Sequence, residues 1–183
     1  MFSVLVPDRI LVFANSQVSE FNFGRRAFGN GTREQQLVGV AGESVVREWF
    51  LQTPMDGSVG FDGGVDIRYL GLTIDVKVMG RTTDVRPDFV NNFVAAQAGF
   101  PTDVLVFCSY NKRTQMLTVC GWISKGEFLA KANLYPTGTL RFRADGTSFK
   151  TFADLYEISN TLLNDVTDVD DLKRQLSDFG GAA

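Results

Sequence analysis

Asp66, Asp75 and Lys77 are the side chains of this chain whose types and spacing best suit chemistry. Residues 65–68 and 72–78 alternate as strands do, and the tight reversal between them has Leu70 and Gly71 at its centre. Pairing about that reversal sets Asp66 opposite Asp75. Strand periodicity puts Lys77 on the same face, while Ile74, Val76 and Val78 point to the other, apolar side. Like charges directly opposed across a sheet are unfavourable, so the arrangement needs a reason. A hard divalent cation held by both carboxylates supplies one, with the lysine ammonium beside it to hold a phosphate or a water.

An upstream helix adds a third carboxylate. Thr32-Arg33-Glu34-Gln35 has the form of a capping box and opens a helix running to about Phe50. Leu37, Ala41, Val45 and Trp49 form its apolar stripe, and Glu43 falls away from that stripe, beside Gln36 and Arg47. Gly39 and Gly42 leave room for another backbone or a ligand to come close.

Composition narrows the chemistry further. The 183 residues, 44% hydrophobic and 21% charged, suit one domain with a core of ordinary size. The chain has no histidine, which removes Ser-His-Asp and Cys-His triads, histidine-ligated metals and histidine general bases. Cys108 and Cys120 fall in adjacent predicted strands and read as small buried thiols, reduced and unpaired. No apolar run approaches the length of a membrane span, and residues 2–6 are too short for a signal peptide, so the expectation is a soluble cytoplasmic protein. The net charge of −3 resides in residues 164–183, and residues 1–163 balance at 16 charges of each sign. Affinity for a polyanion must then come from local clusters.

The remaining elements frame the acidic hairpin. Residues 9–14 read as a short strand. From Phe21 to Arg33 there is no acidic residue, and Arg25, Arg26 and Arg33 alternate with Phe21, Phe23 and Phe28, a composition suited to an arm that tracks a phosphate backbone or docks on the core. Residues 80–87 form a polar loop carrying Arg81 and Arg86. Residues 88–98 read as a helix bearing Asn91, Asn92 and Gln97. A central buried strand is expected over 103–109, with a second over 116–123. Ser124-Lys125-Gly126-Glu127 caps a short helix through Lys131. Residues 139–143 read as a strand, 155–158 are ambiguous, and 164–183 form an acidic tail with a polar helix over 169–176. Asp171-Leu172-Lys173 repeats the Asp-x-Lys pattern in that tail, where it reads as a solvated helix face.

A helix with Glu43, a strand with Asp66, a strand with Asp75-Val76-Lys77, a helix, and then two more strands resemble the PD-(D/E)XK nuclease superfamily, over about half of the chain, from about Glu34 to Ile123. No proline precedes Asp66, and the second acidic position is Asp, the less frequent choice. The resemblance implies a mixed α+β fold with a restriction-endonuclease-like core, a central mixed sheet flanked by helices. It implies a Mg²⁺-dependent endodeoxyribonuclease, with Mn²⁺ able to substitute. Asp66, Asp75, the Val76 carbonyl and Glu43 would be its metal ligands and Lys77 its catalytic lysine. DNA would be the partner, contacted through Arg81, Arg86, Asn91, Asn92, Gln97, Arg25, Arg26 and Arg33. Members of this size commonly act as homodimers and are found in phages, which places them in the host cytoplasm.

Overall fold

The computed structural model describes residues 1–23, 31–59, 63–142 and 146–181. Five strands form the main sheet: β1 (Phe2–Leu5), β2 (Ile67–Tyr69), β3 (Leu72–Arg81), β5 (Val104–Asn111) and β6 (Met116–Ser124). Their order is β1-β6-β5-β3-β2, with β3 and β5 parallel and every other pair antiparallel. A second sheet has the order β4-β10-β7, from Val90–Val94, Leu155–Ser159 and Asn133–Tyr135, and Leu140–Phe142 (β8) pairs with Ser148–Lys150 (β9) as a separate hairpin. Helices α1 (Asp8–Glu20), α2 (Arg33–Trp49), α3 (Lys125–Lys131) and α4 (Val169–Gly181) complete a mixed α+β fold. Among the described residues no helix is long and apolar enough to cross a membrane.

Strand alternation divides the core between the two faces of the main sheet. Ile74 and Val76 of β3, with Val104, Val106 and Cys108 of β5, meet Ile10, Ala14 and Val18 of α1 and Val38, Ala41 and Val45 of α2. Leu105 and Phe107 of β5 point the other way, to Phe93 of β4, Phe128 of α3 and Ile158 of β10. Both cysteines are buried free thiols in different clusters, and burial pushes both thiols up.

Several elements match their sequence signals. Thr32 caps α2, its hydroxyl accepting from Gln35 N while Gln35 Oε1 accepts from Thr32 N. Leu70 and Gly71 both have positive φ, 47° and 85°, as a two-residue hairpin turn requires. Ser124 caps α3 through Glu127 N, and β10 resolves the ambiguity over 155–158 as a strand. Arg143, at the end of the strand expected over 139–143, lies outside the described residues, as do Arg25, Arg26 and Phe28 of the arm. Phe23, just before them, packs against the core.

Three expectations are corrected. Residues 9–14 belong to α1, because the buried positions Ile10, Ala14 and Val18 recur every four residues and leave Val12 exposed. Residues 88–98 are not a helix. They form β4 and a 3₁₀ turn over Ala95–Gly99, since Asn91 and Phe93 alternate inward and pair with Ile158 and Tyr156 of β10. The C-terminal segment is not a solvated tail, for Leu172 and Leu176 of α4 are 0% exposed and Phe179 packs on Trp122. Within α4, Asp171 is occupied structurally: Thr167 N, then Gln175 and Arg174, bond its carboxylate and hold it down at about 2. Lys173 Nζ lies 5.8 Å from the Phe50 ring centroid. Leu176→Ala should therefore destabilise the protein by about 2–5 kcal/mol, as a core cavity does. A urea denaturation midpoint equal to that of the unaltered protein would contradict this docking.

Candidate functional site

The hairpin pairs Ile67 with Ile74, Arg68 with Thr73 and Tyr69 with Leu72, and Asp66 follows just past the end of the ladder, with no ladder pair joining it to Asp75. Asp66 N still donates to Ile74 O at 3.0 Å. Since β2 stops at Ile67, the next β3 amide on that edge, Val76 N–H, has no strand to pair with. The Asp66 carboxylate takes it instead, Val76 N donating to Oδ2 at 2.6 Å. The short β2 is thus what draws this side chain into the edge of the sheet. Gly63 and Gly64 lead in with φ of +77° and +82°, and a Cβ at Gly64 would overlap the Phe100 ring.

Asp75 and Lys77 share the face carrying Leu105 and Phe107, their register partners on β5. Asp75 is 1% exposed. Lys77 Nζ lies 2.6 Å from its Oδ1, an ion contact without hydrogen-bond geometry, and neither Asp75 oxygen has a hydrogen bond. Lys77 Nζ also sits 5.5 Å from the centroid of the Phe93 ring.

Glu43 arrives from α2, on the opposite side of the sheet. A Cβ at Gly42 would stand 2.7 Å from Val78 Cγ1, so the absence of a side chain there lets α2 press against β3. Gly39, the other small residue of that helix, has nothing within 4 Å of a Cβ position. Glu43 is buried at 6% exposure, and Arg47 Nη1 pairs with its Oε1 at 3.3 Å. Arg47 Nε donates to Thr53 O at 2.7 Å. Burial first, then the carboxylates of Glu43 and Asp75, push the Asp66 carboxyl well above the usual aspartate range, while Lys77 and the Val76 N–H pull the other way. Asp66 therefore feels the charge of both other buried acids, one from each side of the sheet.

The donor chemistry fits a hard divalent cation: carboxylate oxygens, two of them buried without hydrogen bonds. The carboxylates do not converge, however. Among the described residues no group of three or more His, Cys, Asp or Glu side chains is placed to hold a metal ion. Asp66 faces the Val76 amide, Asp75 faces Lys77 and Glu43 faces Arg47.

The residues expected to contact nucleic acid are dispersed. Arg81 ends β3 instead of lying in a loop, and its Nη2 donates to Val90 O at 2.5 Å. Arg81 and Arg86 both approach the Phe89 ring, 5.1 and 4.8 Å from its centroid, and Arg86 also forms two bonds to Asp88. Arg33 Nη2 donates to Ser19 Oγ at 2.6 Å. Asn91 is 1% exposed and donates to Asn160 Oδ1 at 2.7 Å, which makes it part of the interior. Gln97 is buried and Asn92 half-buried.

Two neighbours of the site carry no strong signal in the sequence. Arg47 follows Glu43 by four residues, the spacing of a helical ion pair, but such pairs are common on helix surfaces and the spacing alone did not single it out. Phe93 as a platform for Lys77 was hidden by the helical reading of its segment. Comparison with protein-family models, curated proteins and solved structures gave no match.

Proposed function

We propose that this protein is a Mg²⁺-dependent nuclease that hydrolyses DNA phosphodiester bonds, most simply as an endodeoxyribonuclease with a restriction-endonuclease-like core. The observation that carries the reading is Asp75, buried with neither carboxylate oxygen hydrogen-bonded and only the Lys77 ammonium as its ion partner, near Asp66, a second buried acid whose proton affinity is raised by burial and then by its acidic neighbours. Buried carboxylates so crowded are expensive unless they are paired or bind metal. A nearby lysine on the same face completes the set of groups that phosphodiester hydrolysis needs.

Asp66 and Asp75 would hold the cation, with Glu43 acting directly or through a water and the Val76 carbonyl as a further oxygen donor. When bound, the cation lowers the pKa of a coordinated water and offsets charge developing on the phosphoryl group. The Lys77 ammonium would orient that water and hold a non-bridging phosphate oxygen. Arg81 and Arg86 would contact flanking phosphates, together with Arg33 and, in the arm, Arg25 and Arg26. Asn92 would add a polar contact at the half-buried edge of β4. Mn²⁺ would replace Mg²⁺, and a homodimer would cut both strands.

Nicking of supercoiled plasmid with Mg²⁺, and its loss in EDTA, tests the reading; equal traces with and without the metal would refute it. Binding can be followed separately. Mg²⁺ at ten times its dissociation constant should stabilise the native state by about 1.4 kcal/mol, and Asp75→Ala should erase that gain. An equal rise in melting temperature for both proteins would move the ion elsewhere, most simply to the aspartates of α4.

A further inference from the structure

The hairpin of β8 and β9 carries an aromatic and a basic side chain on each face, and only one face is spent on the fold. Its register pairs Leu140 with Lys150, Arg141 with Phe149 and Phe142 with Ser148. Alternation therefore puts Arg141 and Phe149 on one face, and Leu140, Phe142, Ser148 and Lys150 on the other. The first face turns inward. Arg141 donates to Glu157 of β10 from Nε at 3.3 Å and from Nη2 at 2.5 Å, and its guanidinium lies 3.7 Å from the centroid of the Tyr135 ring. The base of the hairpin is tied as well. Thr151 is buried, its N–H donating to Thr139 O at 3.0 Å and its hydroxyl to Pro136 O at 2.6 Å. The second face is left to solvent: Phe142 is 71% exposed, and Phe152, one alternation step beyond Lys150, is 91% exposed.

A single exposed apolar residue is ordinary. Two phenylalanine rings held outward by a hairpin that a buried Arg-Glu pair anchors are pre-organised for a partner, and the residue between them is a cation. The rings stand about 13 Å apart along the strands, with Leu140 and Lys150 between them. Lys150 is exposed and forms no ion pair among the described residues. None of the described residues of the hairpin, 139–142 and 146–153, is acidic, and Arg143 and Asp145 between them cancel in charge. Asp154, next in the chain, is turned to the Thr137 amide and hydroxyl. Two rings of about 200 Å² each fall well short of the roughly 800 Å² that a stable protein interface takes from each partner. Alternating rings and a free ammonium instead match a strand of unpaired bases, whose π-faces stack on aromatics while the phosphates between them seek cations. We propose that this outer face binds single-stranded DNA, with bases stacked on Phe142 and Phe152 and an intervening phosphate on Lys150. Such binding needs neither metal nor cleavage, because the surface is separate from the acidic cluster. Phe93 of β4 faces Lys77, whereas its neighbour Asn92 pairs with Glu157 and so belongs to the other face of the second sheet, the one that the hairpin covers.

The test is fluorescence anisotropy of a labelled oligodeoxythymidylate with the full chain in EDTA, set against an abasic oligonucleotide of equal length and a blunt duplex. Wild type should bind the oligodeoxythymidylate at least about tenfold more tightly than either other probe, since only the first offers unpaired bases. Phe142→Ala and Phe152→Ala should each weaken that binding about tenfold, the loss of one stacked base. Lys150→Ala should weaken it and flatten its salt dependence. Val12→Ala, which trims another exposed apolar side chain on α1, should bind as wild type does. Phe152→Trp should keep the affinity, and its added fluorescence should be quenched on binding. Wild-type protein that does not bind, phenylalanine variants that bind equally well, or an abasic or duplex probe held as tightly would each overturn the proposal. So would a dimer in sedimentation that Phe142→Ala dissolves with DNA binding unchanged, since the face would then belong to a second copy of the chain. Every measurement is made without metal, so these outcomes leave the cleavage reading untouched, and a failure to nick plasmid would leave this surface standing.

Discussion

Lys77→Ala should slow single-turnover cleavage of supercoiled plasmid in excess Mg²⁺ by about 10²–10³, the usual loss when one electrostatic contact to a reacting group is removed. Lys173→Ala should cleave at the wild-type rate. Each lysine ends an Asp-x-Lys triplet, but the settings differ. Lys77 is held in the main sheet with its Nζ beside a carboxylate that is 1% exposed. Lys173 lies on α4, its Nζ over the Phe50 ring, and the aspartate of its triplet is spent on Thr167, Arg174 and Gln175. Metal binding should survive in Lys77→Ala, because an ammonium is not a ligand. Slow cleavage with undiminished metal affinity would thus separate the lysine from the carboxylates. Equal rates for the two variants, or a larger loss at Lys173, would show that the hairpin triplet is not the reacting one.

What could be read from the sequence follows how local each signal is. The hairpin was legible because its register is fixed within a few residues, by a positive-φ Leu70-Gly71 turn and the alternation around it. The start of α2 was legible for the same reason, since a capping box is complete within four residues. Residues 88–98 were misread because β4 is stabilised by pairing with β10 some sixty residues later. A segment such as Asn-Asn-Phe-Val-Ala-Ala has little in its own composition to decide between helix and strand. In α4 the stripe of Leu172, Leu176 and Phe179 was present, but the surrounding charges suggested solvent on all sides. The partial state of the site was not legible at all. The engagement of Asp66 by the Val76 amide does not follow from residue type, because it depends on where β2 stops, and the alternation that puts Lys77 on the face of Asp75 does not say that the two close on each other.

Asp66→Asn should abolish Mg²⁺-dependent cleavage and, with metal removed by EDTA, raise the melting temperature at neutral pH. Activity and stability move in opposite directions because one charge serves the first and opposes the second. The native Asp66 carboxyl is raised above its unfolded value, chiefly by burial and then by Glu43 and Asp75. Between the unfolded value of about 3.9 and the higher native one, the native state holds more protons than the unfolded chain, so stability falls as pH rises through that window. The proton's contribution is present in full below the unfolded value and is lost above the native one. Asparagine removes that loss while its amide oxygen can still accept from Val76 N–H, the bond that Asp66 Oδ2 makes at 2.6 Å. Relief of cross-strand repulsion alone is worth roughly 0.2–1 kcal/mol, which in a chain of this size corresponds to about 1–4 °C. The difference in melting temperature between variant and wild type, followed from about pH 4 to neutrality, should start near zero and grow. Asp66→Ala should lack this benefit, since it leaves the Val76 amide without an acceptor. A variant that cuts at the wild-type rate would remove Asp66 from the site. A melting difference flat with pH would show that its charge is not opposed by Glu43 and Asp75 in the native protein.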